Sequence, residues 1–276
     1  MLAAALIVFR EVLEAGLIVG IVLAATVGVR GRLRWIAGGL VAGLAGALLV
    51  AVFAQRLSDA FAGSGQDVFN AAILLAAVVM LGWHVVWMSR HARELTSEMK
   101  TLGAEVASGD RTLMAMAVVV AIAVLREGAE VVLFLFGIAA SGGTNPAAML
   151  VGGLIGVAGG AFVAWLLYRG LLAIPTRALF SVTNGLVTLL AAGMAGQAAV
   201  HLAHADKLPT LGDQLWDTSA LLPDDGLAGR ALHALVGYSD RPMGIQVGAY
   251  LIVLVGLLAL GRLAGRAGAA PRSAGA

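Results

Sequence analysis

Val8-Phe9-Arg10-Glu11-Val12-Leu13-Glu14-Ala15-Gly16 decides the fold, because this stretch sets three charged residues inside an apolar run that extends from residue 2 to residue 29. A run of that length can cross a bilayer as a helix. An ionised side chain inside the hydrocarbon is costly and usually marks a functional site. The stretch therefore predicts a membrane-spanning helix that carries working residues of the protein.

The same Arg-Glu-x-x-Glu pattern returns as Arg126-Glu127-Gly128-Ala129-Glu130, inside an apolar run from 112 to 140. In each copy the arginine and the second glutamate are one helical turn apart, so the three charged side chains share one helix surface. At about 1.5 Å per residue, the first copy lies roughly 13 to 20 Å from the N-terminal start of its helix, and the second copy lies roughly 20 to 28 Å from the N-terminal start of its own. Both depths are near the centre of a hydrocarbon layer about 30 Å thick, so we expect the copies to face each other.

The composition is typical of a polytopic membrane protein, since 60% of the residues are hydrophobic and only 12% are charged. The chain contains no cysteine. This excludes disulfides, thiolate zinc sites and cysteine nucleophiles, so any bound metal must be held by oxygen or imidazole. We expect contact with membrane lipid and none with nucleic acid.

Seven apolar segments are long enough to span a membrane, and none alternates as a strand would. They cover residues 2–29, 34–55, 67–89, 112–140, 146–168, 178–203 and 243–261. The sequence therefore predicts an all-α, polytopic, single transmembrane domain over residues 1–276. A cleaved signal peptide is not expected, because the first run lacks a basic leader and is interrupted by charges.

The basic residues predict that the N-terminus is outside and the C-terminus inside, because cytoplasmic segments are enriched in Lys and Arg. Twelve basic residues then lie in cytoplasmic segments: Arg30, Arg32, Arg34, Arg90, Arg93, Lys100, Arg111, Arg169, Arg177, Arg262, Arg266 and Arg272. The outer segments hold Arg56, Lys207, Arg230 and Arg241. The predicted order is a first repeat (1–89), a cytoplasmic connector (90–111), a second repeat (112–203), an extracytoplasmic loop (204–242), a seventh helix (243–262) and a disordered tail (263–276).

Three helices are duplicated in the sequence. The first motif matches the second at an offset of 116, Gly38-Gly39-Leu40-Val41 matches Gly152-Gly153-Leu154-Ile155 at 114, and residues 70–80 match 184–194 at 114. With the N-terminus outside, the two copies run in opposite directions. An inverted repeat of this kind places a transported substrate near the midplane, and the seventh helix is an addition.

The charged residues of the two motifs indicate a cation site. Its predicted ligands are four carboxylates with two supporting guanidinium groups: Glu11, Glu14, Glu127 and Glu130, with Arg10 and Arg126. These groups leave two negative charges, and oxygen ligands without thiols suit ferric or ferrous iron, manganese, magnesium or calcium. The alternative is that each arginine only pairs with glutamate in its own helix and stabilises the bundle.

Other polar residues give weaker hypotheses. A vestibule that collects the cation at the outer side is predicted from His201, His204, Asp206, Asp213 and Asp217, although polar residues at a helix end are more often only solvated. His84 lies deep enough to serve a proton or metal path, yet a lone buried histidine is more often satisfied by a neighbouring carbonyl.

Glycines one turn apart, such as Gly39/Gly43 and Gly152/Gly156, predict close helix packing. The sequence leaves open whether these contacts form within one chain or between copies in a homo-oligomer.

The chain resembles the high-affinity iron permeases of the bacterial EfeU and fungal type, whose signature is Arg-Glu-x-x-Glu, commonly with glycine in the third place, in helices 1 and 4. Here the signature stands as Arg10-Glu11-Val12-Leu13-Glu14 and Arg126-Glu127-Gly128-Ala129-Glu130. The stretches Leu215–Pro223 and Gly237–Pro242 are similar to the segment before the last helix of EfeU-type members, so the resemblance covers residues 1 to about 261.

The resemblance implies iron uptake across the cytoplasmic membrane by a transporter that is not an enzyme and holds no organic cofactor. It implies that Glu11, Glu14, Glu127 and Glu130 carry Fe²⁺ or Fe³⁺. It also implies extracytoplasmic partners, namely an iron-binding protein and a haem peroxidase or oxidase. Val12 departs from the usual glycine, and we expect it to restrict close helix approach in the first half-site.

Three alternatives stay open at this point. The same site could serve manganese or another divalent cation. The chain could be a membrane di-iron oxidase, although such sites usually draw on Glu-x-x-His pairs, and no histidine follows Glu11 or Glu127 at that spacing. A purely structural membrane subunit would bind no metal.

Overall fold

The computed structural model describes residues 1–60, 66–140, 145–170, 176–224 and 226–267. The regular structure in these ranges is helical, as the sequence predicts. The helices are α1 (Leu2–Ala25), α2 (Arg32–Ala60), α3 (Gln66–Ser108), α4 (Leu113–Ala140), α5 (Pro146–Tyr168), α6 (Thr176–His204), α7 (Leu227–Val236) and α8 (Gly244–Ala267).

Several of these helices are long and apolar enough to cross a membrane. Within the described residues, five meet that condition: Arg32–Ala60, Gln66–Trp87, Pro146–Tyr168, Asn184–His204 and Gly244–Leu263. Two more, α1 and α4, have 24 and 28 residues, and each contains the arginine and two glutamates of one motif. The fold is therefore that of a multi-pass membrane protein.

The segment predicted as a cytoplasmic connector, residues 90–111, is largely a continuation of the third long helix. It continues α3 as far as Ser108, and its apolar residues at helical spacing turn toward the bundle. Met99, Leu102 and Val106 are buried there against the ends of α1 and α4. The charged residues of the segment obscured this apolar stripe in the sequence.

The segment between α6 and α8 contains a helix, α7, that was not predicted because its ten residues are too few to span a membrane. Backbone hydrogen bonds join the two parts of the segment, from Leu215 N to Pro242 O at 3.0 Å and from Thr218 N to Asp240 O at 2.9 Å. The segment also enters the bundle. Gly237 ends α7 with a φ of 71° and lies against the backbone of Gly193, well inside α6.

The end of the chain also differs from its prediction. Helix α8 runs to Ala267, into the part assigned to a disordered tail. The remainder of that predicted tail, residues 268–276, lies outside the described residues.

Glycines allow the closest contacts between the long helices. Helix α1 packs on α5 and α2 packs on α4, and at each contact a glycine faces a carbonyl oxygen of the other helix. A Cβ at any of these glycines would lie 2.3 to 2.7 Å from that oxygen. The pairs are Gly39 with Ala117, Gly43 with Ala121, Gly152 with Met1, Gly156 with Ala5, and Gly160 with Phe9. These predicted glycine contacts therefore form within one chain.

We predict that Gly156→Ala destabilises the protein and that Gly153→Ala does not. A Cβ at Gly156 would stand 2.6 Å from Ala5 O, whereas a Cβ at Gly153 on the same helix meets nothing within 4 Å. Overpacking of this kind costs about 1–3 kcal/mol. The thermal unfolding temperature of the two variants in detergent is the measurement, and equal temperatures would contradict the packing described here.

Candidate metal site between helices α1, α3 and α4

The charged residues of the two motifs meet inside the bundle, where α1, α3 and α4 pack together. A donor atom from each of Glu11, His84, Glu127 and Glu130 lies within 4.8 Å of every other. All four residues are buried. The structure thus brings together carboxylates from both motifs and adds an imidazole from α3.

The two arginines hold the glutamates of their own motifs. The Nη1 of Arg10 donates to Glu11 Oε1 at 3.3 Å, and its Nε forms an ion pair with Glu14 Oε1 at 3.0 Å. The Nε of Arg126 donates to Glu130 Oε1 at 3.3 Å and is 4.0 Å from Glu127 Oε1. Pairing within each helix is therefore present, as the structural alternative requires, but it engages only some of the carboxylate oxygens.

The surroundings of the two arginines differ. Arg10 is 1% exposed, whereas the side chain of Arg126 is 40% exposed. The Arg126 guanidinium lies over the ring of Trp87, with its central carbon 4.7 Å from the ring centroid. That stacking is a cation–π contact, and it stabilises the part of the guanidinium that no carboxylate contacts.

His84 joins the two motifs. Its Nε2 is hydrogen-bonded to Glu14 Oε2 at 3.1 Å, and its Nδ1 is 2.6 Å from Glu130 Oε2, although the ring N–H is not aligned with that second oxygen. The expectation that a neighbouring carbonyl satisfies this histidine is therefore wrong. One signal was available in the sequence. The position equivalent to His84 in the second repeat, at the offset of 114, is Ala198, so the histidine is not part of the repeated pattern and needs an explanation of its own.

Two carboxylate oxygens in the cluster contact neither an arginine nor a histidine. Among the described residues, four carboxylate oxygens of the cluster are buried without a hydrogen bond, namely Glu11 Oε2, Glu14 Oε1, Glu127 Oε2 and Glu130 Oε2. Of these, Glu14 Oε1 and Glu130 Oε2 take part in ion pairs, whereas Glu11 Oε2 and Glu127 Oε2 do not. Glu11 and Glu127 are 1% and 6% exposed. Because a buried anionic oxygen without a partner is costly, these two atoms point to a cationic ligand.

The donor set fits a divalent transition metal. Donors on opposite sides of an ion bonded at about 2.1 Å stand about 4.2 Å apart, so a span of 4.8 Å needs only a small contraction. Carboxylate oxygens suit iron(II) and manganese(II) as well as magnesium and calcium. Both ring nitrogens of His84 already contact carboxylates, so the imidazole could bind an ion only by giving up one of these contacts.

Val12 does not keep its helix away from the neighbouring helix, contrary to expectation. A Cβ at Gly160 of α5 would lie 3.0 Å from the Cβ of Val12, so this glycine provides the space. In the second motif the glycine lies in the motif itself, since Gly128 of α4 faces the Cβ of Ala47 of α2. Both motifs are therefore packed closely. The glycine is on the neighbouring helix at the first motif and on the motif helix at the second.

The residues of the predicted vestibule are placed apart from this cluster. His201 is engaged through both ring nitrogens, with Asp67 Oδ1 at 2.8 Å and with Ala140 O at 3.0 Å. The other members are exposed: His204, Asp206, Asp213 and Asp217. The structure does not bring the five into one metal-binding group within the described ranges. Their role in collecting iron stays a prediction.

Asp217 has a local structural role. It accepts hydrogen bonds from the backbone N–H and the hydroxyl of Ser219, and one from Arg241 Nε at 3.1 Å. The Ser219 bonds, helped by Arg241, hold the pKa of Asp217 at about 2. The carboxylate is therefore ionised throughout the physiological pH range and ties the two parts of the α6–α8 segment together.

We predict that Arg10→Gln destabilises the protein more than Arg126→Gln. Removing Arg10 leaves the buried Glu11 and Glu14 without their cation, and breaking a buried ion pair costs about 3–5 kcal/mol. Arg126 lies 3.3 Å and 4.0 Å from its glutamates, farther than Arg10 at 3.0 Å and 3.3 Å, and it is only partly buried, so the cost of its removal is smaller. Thermal unfolding in detergent at equal protein concentration compares them, and a larger loss for Arg126→Gln would contradict the burial described above.

Comparison with known proteins identifies the family of the chain. The chain is 30% identical to proteins named ferrous iron permease EfeU from Shigella sonnei and from Escherichia coli O157:H7, in each case over 275 residues and 98% of both chains. It is 30% identical to the protein of that name from Escherichia coli O6:H1, over 96% of both chains. No solved structure matches. The model of the iron permease FTR1 family matches residues 1–266, and the chain belongs to this family.

Proposed function

We propose that this protein imports iron across the cytoplasmic membrane through the buried cluster of Glu11, Glu14, Glu127 and Glu130. The observation that carries the proposal is the pair of buried, unpartnered oxygens on Glu11 and Glu127, which come from different motifs and lie in one donor group. Membership of an iron permease family supports iron as the substrate. Arg10 and Arg126 support the site by partly neutralising its carboxylates.

We propose that the bundle has seven spans, α1 to α6 and α8, and that its first six form an inverted repeat. The packing supports this, because α1 packs on α5 as α4 packs on α2. Equivalent contacts relate Gly39 to Gly152 and Gly43 to Gly156, which are 113 positions apart. This structural offset of 113 is one residue smaller than the sequence offset of 114. The structural offset pairs the glycines that contact the neighbouring helix, whereas the sequence offset pairs residues of the same type.

Inverted repeats support alternating access, in which the two halves rearrange around a fixed midplane site. In this protein each half contributes one motif to the site. A rearrangement of the halves would therefore change the distance between Glu11 and Glu127. We propose that this change binds the ion on one side of the membrane and releases it on the other.

The transported ion is proposed to be Fe²⁺. The relatives are named ferrous iron permeases, and the carboxylate oxygens of Glu11 and Glu127 that have no ion pair can bind a divalent ion. The same donor set would accept Mn²⁺, which is the second candidate substrate. Competition of Mn²⁺ with ⁵⁵Fe²⁺ uptake into proteoliposomes under anaerobic conditions separates the two.

We also propose that any change in the oxidation state of iron is made by an extracytoplasmic partner, as the resemblance implies. The redox role would then belong to a haem peroxidase or oxidase, and iron would be delivered by a separate iron-binding protein. Addition of a candidate redox partner, together with an electron donor that it can use, to right-side-out vesicles supplied with Fe³⁺ tests this. Uptake should start only when both are present, because the electron donor must supply the one electron that converts Fe³⁺ to Fe²⁺.

Cysteine labelling tests the predicted orientation, and it needs no removal of native cysteines because the chain has none. Leu221 is 88% exposed in the α6–α8 segment, and Asp110 is exposed between α3 and α4. In right-side-out vesicles, a membrane-impermeant maleimide should label Leu221→Cys at once and Asp110→Cys only after permeabilisation. The reverse pattern would overturn the orientation with the N-terminus outside.

We predict that Glu127→Gln reduces iron uptake at least about tenfold, because it removes one of the two carboxylate oxygens that are free to bind the ion. Loss of a group that only orients a ligand already costs about 10- to 100-fold, and loss of a ligand itself should cost no less. Uptake of ⁵⁵Fe²⁺ into proteoliposomes with equal protein content is the measurement. Glu98→Gln is the matched control, because Glu98 is an exposed glutamate of α3 away from the cluster.

The control variant should transport at the wild-type rate. If Glu127→Gln transports iron as fast as Glu98→Gln, with equal reconstitution, the carboxylate cluster is not the path of the ion.

A further inference from the structure

We infer that the four glutamates have two different tasks: the first glutamate of each motif, Glu11 and Glu127, binds the ion, while the second, Glu14 and Glu130, is held by His84 as a strut between the two repeats. This inference rests on the proposed function and assigns roles within that site. It makes His84 a positioning residue.

Both oxygens of each second glutamate are already engaged. For Glu14, Oε1 is 3.0 Å from Arg10 Nε and Oε2 is 3.1 Å from His84 Nε2. For Glu130, Oε1 is 3.3 Å from Arg126 Nε and Oε2 is 2.6 Å from His84 Nδ1. An ion that bound these carboxylates would first have to displace a guanidinium or an imidazole contact.

The first glutamates differ in this respect. Glu11 and Glu127 each use only Oε1 toward their arginine, at 3.3 Å and at 4.0 Å. Their Oε2 atoms are the buried carboxylate oxygens of the cluster that have neither a hydrogen bond nor an ion pair. An incoming cation therefore gains most by binding here, because it satisfies oxygens that water no longer solvates and that no guanidinium or imidazole contacts.

His84 is suited to fix a distance. The imidazole ring is rigid, it is 1% exposed, and its neighbours Leu81 and Val85 belong to the hydrophobic core. It connects α1 with α4 one helical turn away from Glu11 and Glu127. The spacing of the two free oxygens is thereby set by side chains that need not touch the ion.

A strut that sets spacing should control which ions fit. Calcium forms longer bonds to oxygen, about 2.3–2.6 Å, than the smaller divalent metals, whose bonds are about 2.0–2.2 Å. Removing the strut should therefore weaken Fe²⁺ binding and at the same time make Ca²⁺ a better competitor. A variant that is only partly unfolded would lose binding of both ions.

The test is anaerobic titration of the purified full-length protein in detergent with Fe²⁺, and with Fe²⁺ in competition with Ca²⁺. We expect Glu11→Gln and Glu127→Gln to weaken Fe²⁺ binding more than about 100-fold, and Glu14→Gln, Glu130→Gln and His84→Leu by about 10-fold, in the range found for groups that orient ligands. His84→Gln, which keeps two N–H donors, should recover most of the loss. His84→Leu should also raise the KM for uptake more than it lowers kcat.

A double-mutant cycle gives the sharpest outcome. If His84 acts through Glu130, then His84→Leu adds little to Glu130→Gln but adds its full effect to Glu127→Gln. Full additivity with Glu130→Gln, or equal losses for all four glutamate variants, would overturn the division of tasks while leaving the proposed function intact. Unchanged Fe²⁺ binding in the Glu11→Gln/Glu127→Gln double variant would overturn the proposed function itself.

Discussion

The structure depends on one electrostatic constraint, which is that four carboxylates are buried near the middle of an apolar bundle with only two arginines to neutralise them. Separating an ionised carboxylate from water is costly, and each one persists only where a fixed positive group or a hydrogen bond compensates. Arg10 and Arg126 compensate part of the charge, and His84 engages the two second glutamates. The oxygens of Glu11 and Glu127 that have neither a hydrogen bond nor an ion pair are the ones left for a cation. A site of this kind is stable enough to fold and still gains from a cation, which is what a carrier needs.

Close helix packing is what makes this concentration of charge achievable. The charged residues can share one small volume only if α1 and α4 are fixed at short distances by their own neighbours. Glycines of α5 and α2 provide these distances by meeting carbonyl oxygens of α1 and α4. The exchange between the two motifs, Val12 on Gly160 in one and Gly128 on Ala47 in the other, shows that the total volume at the contact matters more than the residue at a given position of the motif.

Much of this arrangement could be predicted from the sequence, because the strongest signals were local. Long apolar runs, two charged motifs and glycines one turn apart each have one dominant physical interpretation. The role of His84 could not be derived in the same way, since its partners Glu14 and Glu130 are 70 and 46 residues away and nothing in α3 alone indicates which helices it touches. Helix α7 was missed for a different reason. Its length is ordinary for a soluble protein, and it is the contacts made in the folded structure, such as that of Gly237 with Gly193, that show the segment entering the bundle.

The two halves of the site are related but not equivalent, and the C-terminal part of the chain provides a physical reason. Helix α7 packs against α1 and α6, and α8 packs against α3 and α6, so this addition lies mainly on one side of the repeated bundle. Arg10 of α1 is 1% exposed, while Arg126 of α4 is 40% exposed and stacks on Trp87. Arg10 also lies closer to its glutamates, at 3.0 Å and 3.3 Å, than Arg126 does, at 3.3 Å and 4.0 Å, so its ion pairs are the stronger ones. The proposed ion between Glu11 and Glu127 would therefore compete with a firmly held arginine on one side and a loosely held arginine on the other, and the two half-sites would bind it unequally.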